Sequence, residues 1–154
     1  MIPLSIDDVQ RLAPGDLRTT GADRVTGVQI DSRRIESGDL FVAVGGGAAY
    51  VDEALAADAA AALLPDNAFA ALAALATEVR SRSSARVVAI TGSTAKTSTK
   101  DILGALCAPH ARTVVAEGSQ NNELGLPLTL CRLEPETEVA IVEMGMRGVG
   151  QIAE

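Results

Sequence analysis

The run Arg86-Val87-Val88-Ala89-Ile90-Thr91-Gly92-Ser93-Thr94-Ala95-Lys96-Thr97-Ser98-Thr99-Lys100-Asp101 constrains this chain more than any other stretch. Val87 to Ile90 is a short apolar run weighted towards β-branched residues, which predicts a strand. Thr91 and Gly92 open a polar turn, and beyond it Ile102, Leu103 and Leu106 recur at helical spacing. The expected unit is strand, tight loop, helix. At such a junction the first N–H groups of the helix have no carbonyl partner and point together into the loop, where the helix dipole adds partial positive charge. That is a phosphate site.

Lys96 adds a full cation beside the loop, and the Thr97 hydroxyl sits where it can hold Mg²⁺ against nucleotide phosphates. Together they suggest a nucleoside triphosphate. The general P-loop pattern asks for Gly, then four residues, then Gly-Lys-Ser/Thr. Here Ile90 takes the first glycine position and Ala95 the second. What remains is a shorter form, Thr-Gly-x-x-x-Lys-Thr-Ser-Thr-Lys, placed after a strand. The plainer reading of the same residues is an ordinary strand-to-helix turn rich in Ser and Thr.

At 154 residues the chain is long enough for one domain or two small ones. Hydrophobic residues make up 47% and aromatics 2%, so the core must be built from Ala, Val, Leu and Ile. With so few rings and a formal net charge of -7, neither base stacking nor a basic stripe is available, which argues against a nucleic-acid partner. Cys107 and Cys131 lie in apolar surroundings without CxxC spacing and are expected as reduced core residues. Met1 to Gln10 contains Asp7 and Asp8 and lacks the basic and apolar regions of a signal peptide, and no window offers an uninterrupted apolar span. The expectation is a cytoplasmic protein with no membrane insertion.

Ser5 to Leu12 predicts a short helix with Ser5 as N-cap, Asp7 and Asp8 in its first turn, and Ile6, Val9 and Leu12 on one face. Val25 to Ile30 and Leu40 to Val44 predict strands, with Asp31-Ser32-Arg33-Arg34 and a Ser37-Gly38-Asp39 turn between them. Gly45-Gly46-Gly47 breaks the second strand. Val51 to Ala57 predicts a helix, followed by a weak apolar run from Ala59 to Leu64. Asn67 is placed to cap a helix over Ala68 to Arg80, with Phe69, Leu72, Leu75, Ala76 and Val79 as its apolar stripe. Ser81 to Ala85 is a polar joint, so the domain boundary falls there and gives units of 1–85 and 86–154.

Beyond the loop and its helix come a strand at Thr113 to Ala116, a polar loop from Glu117 to Asn122, a helical Leu124 to Leu133 with Pro127 near its first turn, and a strand at Val139 to Met144. Strands alternating with helices indicate a parallel sheet, whose ligands collect at the carboxyl ends of the strands. Gly92, the 117–122 loop and Glu143 all lie at that edge. His110, the single histidine, has no evident role.

Four stretches in order resemble the Mur ligase family, in the branch that adds D-alanyl-D-alanine to a UDP-N-acetylmuramoyl-tripeptide. They are Asp31-Ser32-Arg33 with Ser37-Gly38-Asp39-Leu40-Phe41-Val42-Ala43, Thr91 to Lys100, Asn121-Asn122-Glu123-Leu124-Gly125-Leu126-Pro127-Leu128-Thr129, and Glu143-Met144-Gly145-Met146-Arg147-Gly148-Val149-Gly150-Gln151-Ile152-Ala153-Glu154. The resemblance implies an α/β fold: a small N-terminal α/β domain that binds the UDP-substrate, followed by the first part of a P-loop-type parallel-sheet ATPase domain. It implies a reaction in which ATP phosphorylates a peptide carboxylate and the amine of D-alanyl-D-alanine attacks the acyl phosphate. Two polyanions must meet in that reaction, so cations and helix N-termini have to neutralise the triphosphate while it is aimed.

Residue by residue, Lys96 resembles the catalytic lysine that grips the β and γ phosphates. Gly92, Ser93, Thr94, Ala95, Lys96, Thr97 and Ser98 resemble the ATP loop. Thr97 and Glu143 resemble the Mg²⁺ ligands, and Asn121 and Asn122 the paired asparagines of the nucleotide region. Asp31, Ser32 and Arg33 resemble the motif that meets the UDP end of the substrate, where an Arg fork suits a diphosphate. For Asn121 and Asn122 a turn with an Asn cap before the Pro127 helix, for Glu143 a solvated strand end and for Asp31 to Arg33 a locally salt-bridged turn are the structural alternatives.

The chain also departs from the family. Ala95 stands where the family has Gly, and a positive φ there would strain an alanine. Gly45-Gly46-Gly47-Ala48-Ala49-Tyr50 replaces an Asp-Gly-His stretch, and the sequence ends partway through the implied ATPase domain. On these grounds it is not expected to be active alone, and a non-catalytic nucleotide-binding or interaction module, or a non-functional remnant, stands as the alternative.

Overall fold

The computed structural model describes residues 1–145, so the Met146 to Glu154 part of the fourth stretch lies outside the described residues. The N-terminal unit opens with a two-residue strand, β1 (Leu4–Ser5), and the helix α1 (Ile6–Leu12). Ser5 caps α1 as expected, its Oγ accepting the Asp8 N–H at 3.0 Å. Four strands then form one sheet in the order β2 (Gly15–Thr19), β6 (Ala61–Pro65), β5 (Asp39–Val42), β4 (Gly27–Gln29). In it β4, β5 and β6 run parallel and β2 is antiparallel to β6. Strand β2 has no counterpart in the sequence reading. Its pattern is mostly exposed, and pairing with β6 rather than apolar alternation makes it a strand.

The single strand expected over Val25 to Ile30 is split. β3 (Arg24–Val25) pairs with β1, whereas β4 pairs with β5, so the chain changes sheets at Thr26. There the Thr26 N–H donates to Gly38 O at 2.8 Å. The glycine run becomes a 3-10 segment, Gly45–Tyr50, leading into α2 (Val51–Ala56). Asn67 caps α3 (Ala68–Ser81) through its Oδ1 to the Ala70 N–H at 3.1 Å. The α3 stripe buries Ala71, Leu72, Leu75, Ala76 and Val79. Phe69 does not join it: on the first turn, ahead of the packed residues, it is 52% exposed.

After residue 85 a separate parallel sheet begins, in the order β7 (Arg86–Ile90), β9 (Val139–Glu143), β8 (Thr113–Val115). The crossovers are α4 (Lys96–Cys107) and α5 (Gly125–Leu130). Helix α4 lies against all three strands, and its Gly104 lets the backbone close on Val115: a Cβ there would sit 2.8 Å from Val115 Cγ2. Helix α5 packs on α3, and one apolar cluster runs across residue 85, joining Leu72 and Leu75 to Cys131, Leu133 and Ala140. Cys131 is buried, and burial pushes its thiol up to about 12. Cys107, expected in the core, is only partly buried at the end of α4.

Among the described residues strand β7 pairs on one side only, with Val87 and Val88 exposed, and α4 turns Ile102 and Leu106 outwards at 63% and 65% exposure. An apolar edge with free N–H and C=O groups is a template for pairing with another chain. We expect the sedimentation coefficient of this chain to rise with concentration and Val88→Lys to reduce that rise. A monomer of the unsubstituted chain with a cooperative, concentration-independent melt would contradict the expectation.

Candidate active site at the ends of the parallel strands

The register of the second sheet assembles the site. Ile90 pairs with Glu143, so the last residue of β9 lies beside the start of the 91–95 loop. Helix α4 opens with Lys96 and Thr97 immediately beyond that loop. Glu143 is 1% exposed, and both carboxylate oxygens are engaged. Thr97 Oγ1 donates to Oε2 at 2.8 Å, and Asn121 Nδ2 donates to Oε1 at 2.7 Å. Ser119 Oγ lies 3.5 Å from Thr97 Oγ1. Burial of a carboxylate demands such partners. A hydroxyl, a buried carboxylate and a second hydroxyl form an all-oxygen donor set, the kind a hard divalent cation takes.

Lys96 Nζ donates to Gly92 O at 2.8 Å, closing the loop on itself. Gly92 has φ +142° and Ala95 has φ 60° with ψ 10°, so the loop turns through two left-handed positions and only the first is occupied by glycine. Ser93, Thr94, Ala95 and Ser98 are exposed. Asn121 and Asn122 divide their tasks. Asn121 holds Glu143, while Asn122 Oδ1 accepts the Leu124 and Gly125 N–H groups at 3.2 and 2.8 Å, at the head of α5.

Asp31, Ser32 and Arg33 lie apart from this cluster, in the N-terminal unit. Asp31 starts a 3-10 turn (Ser32–Arg34), and its two oxygens take Arg33 Nε and Nη2 at 2.8 and 2.7 Å. Ser32 is buried and donates to Glu53 Oε1 at 2.7 Å. The Arg33 guanidinium, helped by the Arg33 N–H, holds the Asp31 carboxyl at about 2. Between the two units lies a cavity of about 410 Å³, lined among others by Gly27, Arg34, Asp39, Glu117, Leu128 and Arg132. Asp39 is buried there and accepts the Glu36 N–H at 2.9 Å; burial raises its carboxyl and the hydrogen bond opposes the rise.

Lys100 was given no role by sequence. It is 1% exposed, and its Nζ donates to Ala116 O at 2.7 Å and to the neighbouring Asp101 carboxylate. It therefore pins the end of β8, where the 117–122 loop begins. Its place one helical turn after Lys96 was the available signal. Ser119 lay inside a loop read only as polar.

The Mur ligase middle domain family matches residues 90–154, the segment that carries this loop, Asn121 and Glu143. Over nearly its whole length the chain is also similar to named ligases. It is 34% identical to the UDP-N-acetylmuramoyl-tripeptide–D-alanyl-D-alanine ligase of Escherichia coli over 99% of this chain. It is 36% identical to that of Mycobacterium tuberculosis, again over 99% of this chain. Residues 90–154 belong to the Mur ligase middle domain family. The chain spans 37% of the E. coli ligase and 39% of the M. tuberculosis one. Among solved structures, MurF from Acinetobacter baumannii superposes with a TM-score of 0.78 at 28% identity, over 97% of this chain and 37% of that one. The MurF ligase of Thermotoga maritima, solved in complex with ADP, gives a TM-score of 0.67 at 32% identity, over 82% of this chain and 34% of that one. The mixed α/β architecture of this chain is the fold those neighbours share.

Two outcomes follow from the site's geometry. An alanine in the left-handed region costs about 1 kcal/mol or more, which a glycine would not. Ala95→Gly is therefore expected to raise stability in a urea melt by up to about 1 kcal/mol, and Ala95→Val to lower it by more than that. For Asp31 the folded value lies below the ordinary 3.8, so the stabilising effect of its pair with Arg33 is complete above 3.8 and is lost as pH falls through about 2. A carboxyl-carbon NMR titration should place the Asp31 midpoint near 2, and Arg33→Ala should return it towards 3.8.

Proposed function

We propose that this chain carries the UDP-substrate-binding and nucleotide-binding parts of an ATP-dependent ligase of peptidoglycan precursor synthesis. Residues 1–85 form the first of these and residues 86–154 the beginning of the second. In that ligase D-alanyl-D-alanine is joined to a UDP-N-acetylmuramoyl-tripeptide through an acyl phosphate, and the place of reaction is the cytoplasm. The observation that carries the reading is the meeting of Thr97, Asn121 and Glu143 beside a lysine-bearing loop at the carboxyl ends of parallel strands.

The residues divide the work by charge. The 92–98 loop and the N-terminal N–H groups of α4 bind the ATP phosphates, and the Lys96 ammonium leaves Gly92 O to neutralise the β and γ phosphates. Thr97 Oγ1 and the Glu143 carboxylate would hold Mg²⁺ through their oxygens. Mg²⁺ supplies charge neutralisation at the transferring phosphoryl group. Asn121 orients Glu143, and Asn122 sets the loop by capping α5. Arg33 turns its exposed guanidinium from Asp31 to the substrate diphosphate, with Asp31 and Ser32 shaping that turn. The chain spans 37% of its E. coli relative, so ligation is proposed for the whole ligase and this chain is not expected to catalyse it alone.

Calorimetric titration of this chain with Mg-ATP tests the reading. We expect saturable binding that Lys96→Ala weakens by about tenfold or more, the usual scale for a lost hydrogen bond to a charged group. Chelation of Mg²⁺ should weaken binding to the unsubstituted chain as well. No binding by a chain shown to be folded would reject the nucleotide site.

A further inference from the structure

The 117–121 loop is gripped from both units of the chain at a single carboxylate. Glu117 Oε2 accepts from Arg34 Nη2 at 3.2 Å, and Glu117 Oε1 pairs with Arg132 Nη1 at 3.2 Å. That Arg132 nitrogen also donates to Val115 O at 3.1 Å, tying the same strand end a second time. Arg34 closes the 3-10 turn that begins at Ser32, so it is continuous with Asp31, Ser32 and Arg33.

From Glu117 the loop runs tightly to the metal-facing cluster. The Gln120 N–H donates to Glu117 O at 3.1 Å, and the Asn121 N–H donates to Ser119 O at 2.9 Å. Lys100 fixes the preceding carbonyl, Ala116 O, from inside. Gln120 packs on Gly125, where a Cβ would lie 2.6 Å from Gln120 Cβ. A displacement of Glu117 therefore reaches Ser119 and Asn121 with little slack to absorb it. Those two residues are the loop's contacts with Thr97 and Glu143.

The geometry points to Glu117 as a positioning residue through which Arg34 of the N-terminal unit sets the Asn121–Glu143–Thr97 cluster for its cation. The inference rests on the nucleotide reading given above. Both ion pairs are about half exposed and add little to stability. Their effect lies in where they hold the loop: an orientation of Asn121 that keeps the Glu143 carboxylate facing Thr97 favours Mg²⁺ between them, and loss of the grip leaves that orientation to the loop alone.

The experiment is calorimetric titration of the full 154-residue chain with ADP, with and without Mg²⁺, for the unsubstituted chain, Glu117→Gln, Arg34→Gln, the double variant and Arg34→Lys. Replacing partners of metal ligands costs about ten- to a hundredfold in metal affinity, and Glu117 acts one step further out. Each single variant should therefore lose about three- to tenfold in affinity for Mg-ADP. The double variant should lose no more than either single one, because both break the same link. ADP with a chelator should bind all variants within about twofold of one another, and Arg34→Lys should keep most of the affinity. Unchanged Mg-ADP affinity in the single variants, additive losses, or an equal loss without Mg²⁺ would overturn the inference and leave the nucleotide site standing. Failure of the folded unsubstituted chain to bind ADP in either condition would overturn both.

Discussion

A buried carboxylate at the end of a strand has to be held, and much of the carboxyl-terminal half of this chain is arranged around holding Glu143. Its two oxygens take a donor from α4 and a donor from the 117–122 loop, so the strand, the helix and the loop are fixed relative to one another by one side chain. Both donors are neutral, and among the described residues the carboxylate has no cation as a hydrogen-bond partner. That suits a position whose compensating charge arrives with a ligand. Lys100 completes the frame from beneath, since its buried ammonium fixes the strand end from which the loop departs.

The 91–95 loop shows how a turn can hold a left-handed position without a glycine there. Ala95 adopts the left-handed conformation that its neighbours impose, although it is an alanine. The loop geometry is therefore set by the strand before it and the helix after it, and Ala95 bears the strain locally. Its methyl group also lies on the exposed loop, which narrows the room for a close approach to the backbone there.

Most elements were legible because each carried a local signal: Ser5 and Asn67 as caps, the α3 stripe, the apolar runs of β7 and β9. The strain at residue 95 was legible only as a condition, because the family's glycine at that place raised the question of a positive φ, which Ala95 has. What sequence missed is non-local. Strand β2 exists because β6 lies beside it, and Thr26 divides a continuous pattern because the two halves pair with different sheets. Phe69 fits a helical stripe by spacing but precedes the turn at which α3 meets its partners. Within the site, the strand order placed Gly92, the 117–122 loop and Glu143 at one sheet edge. The hydrogen bonds that separate the role of Asn121 from that of Asn122, and the burial of Lys100, depend on side-chain directions that spacing does not carry.

The sheets part at residue 85, yet the apolar cluster does not. Leu72 and Leu75 on α3 share their core with Cys131, Leu133 and Ala140, residues made much later. A chain emerging from the ribosome therefore completes the first sheet while one side of α3 still waits for α5. The joint at residue 85 separates two sheets, but in the order of synthesis the earlier one acquires its full core only when the later one arrives.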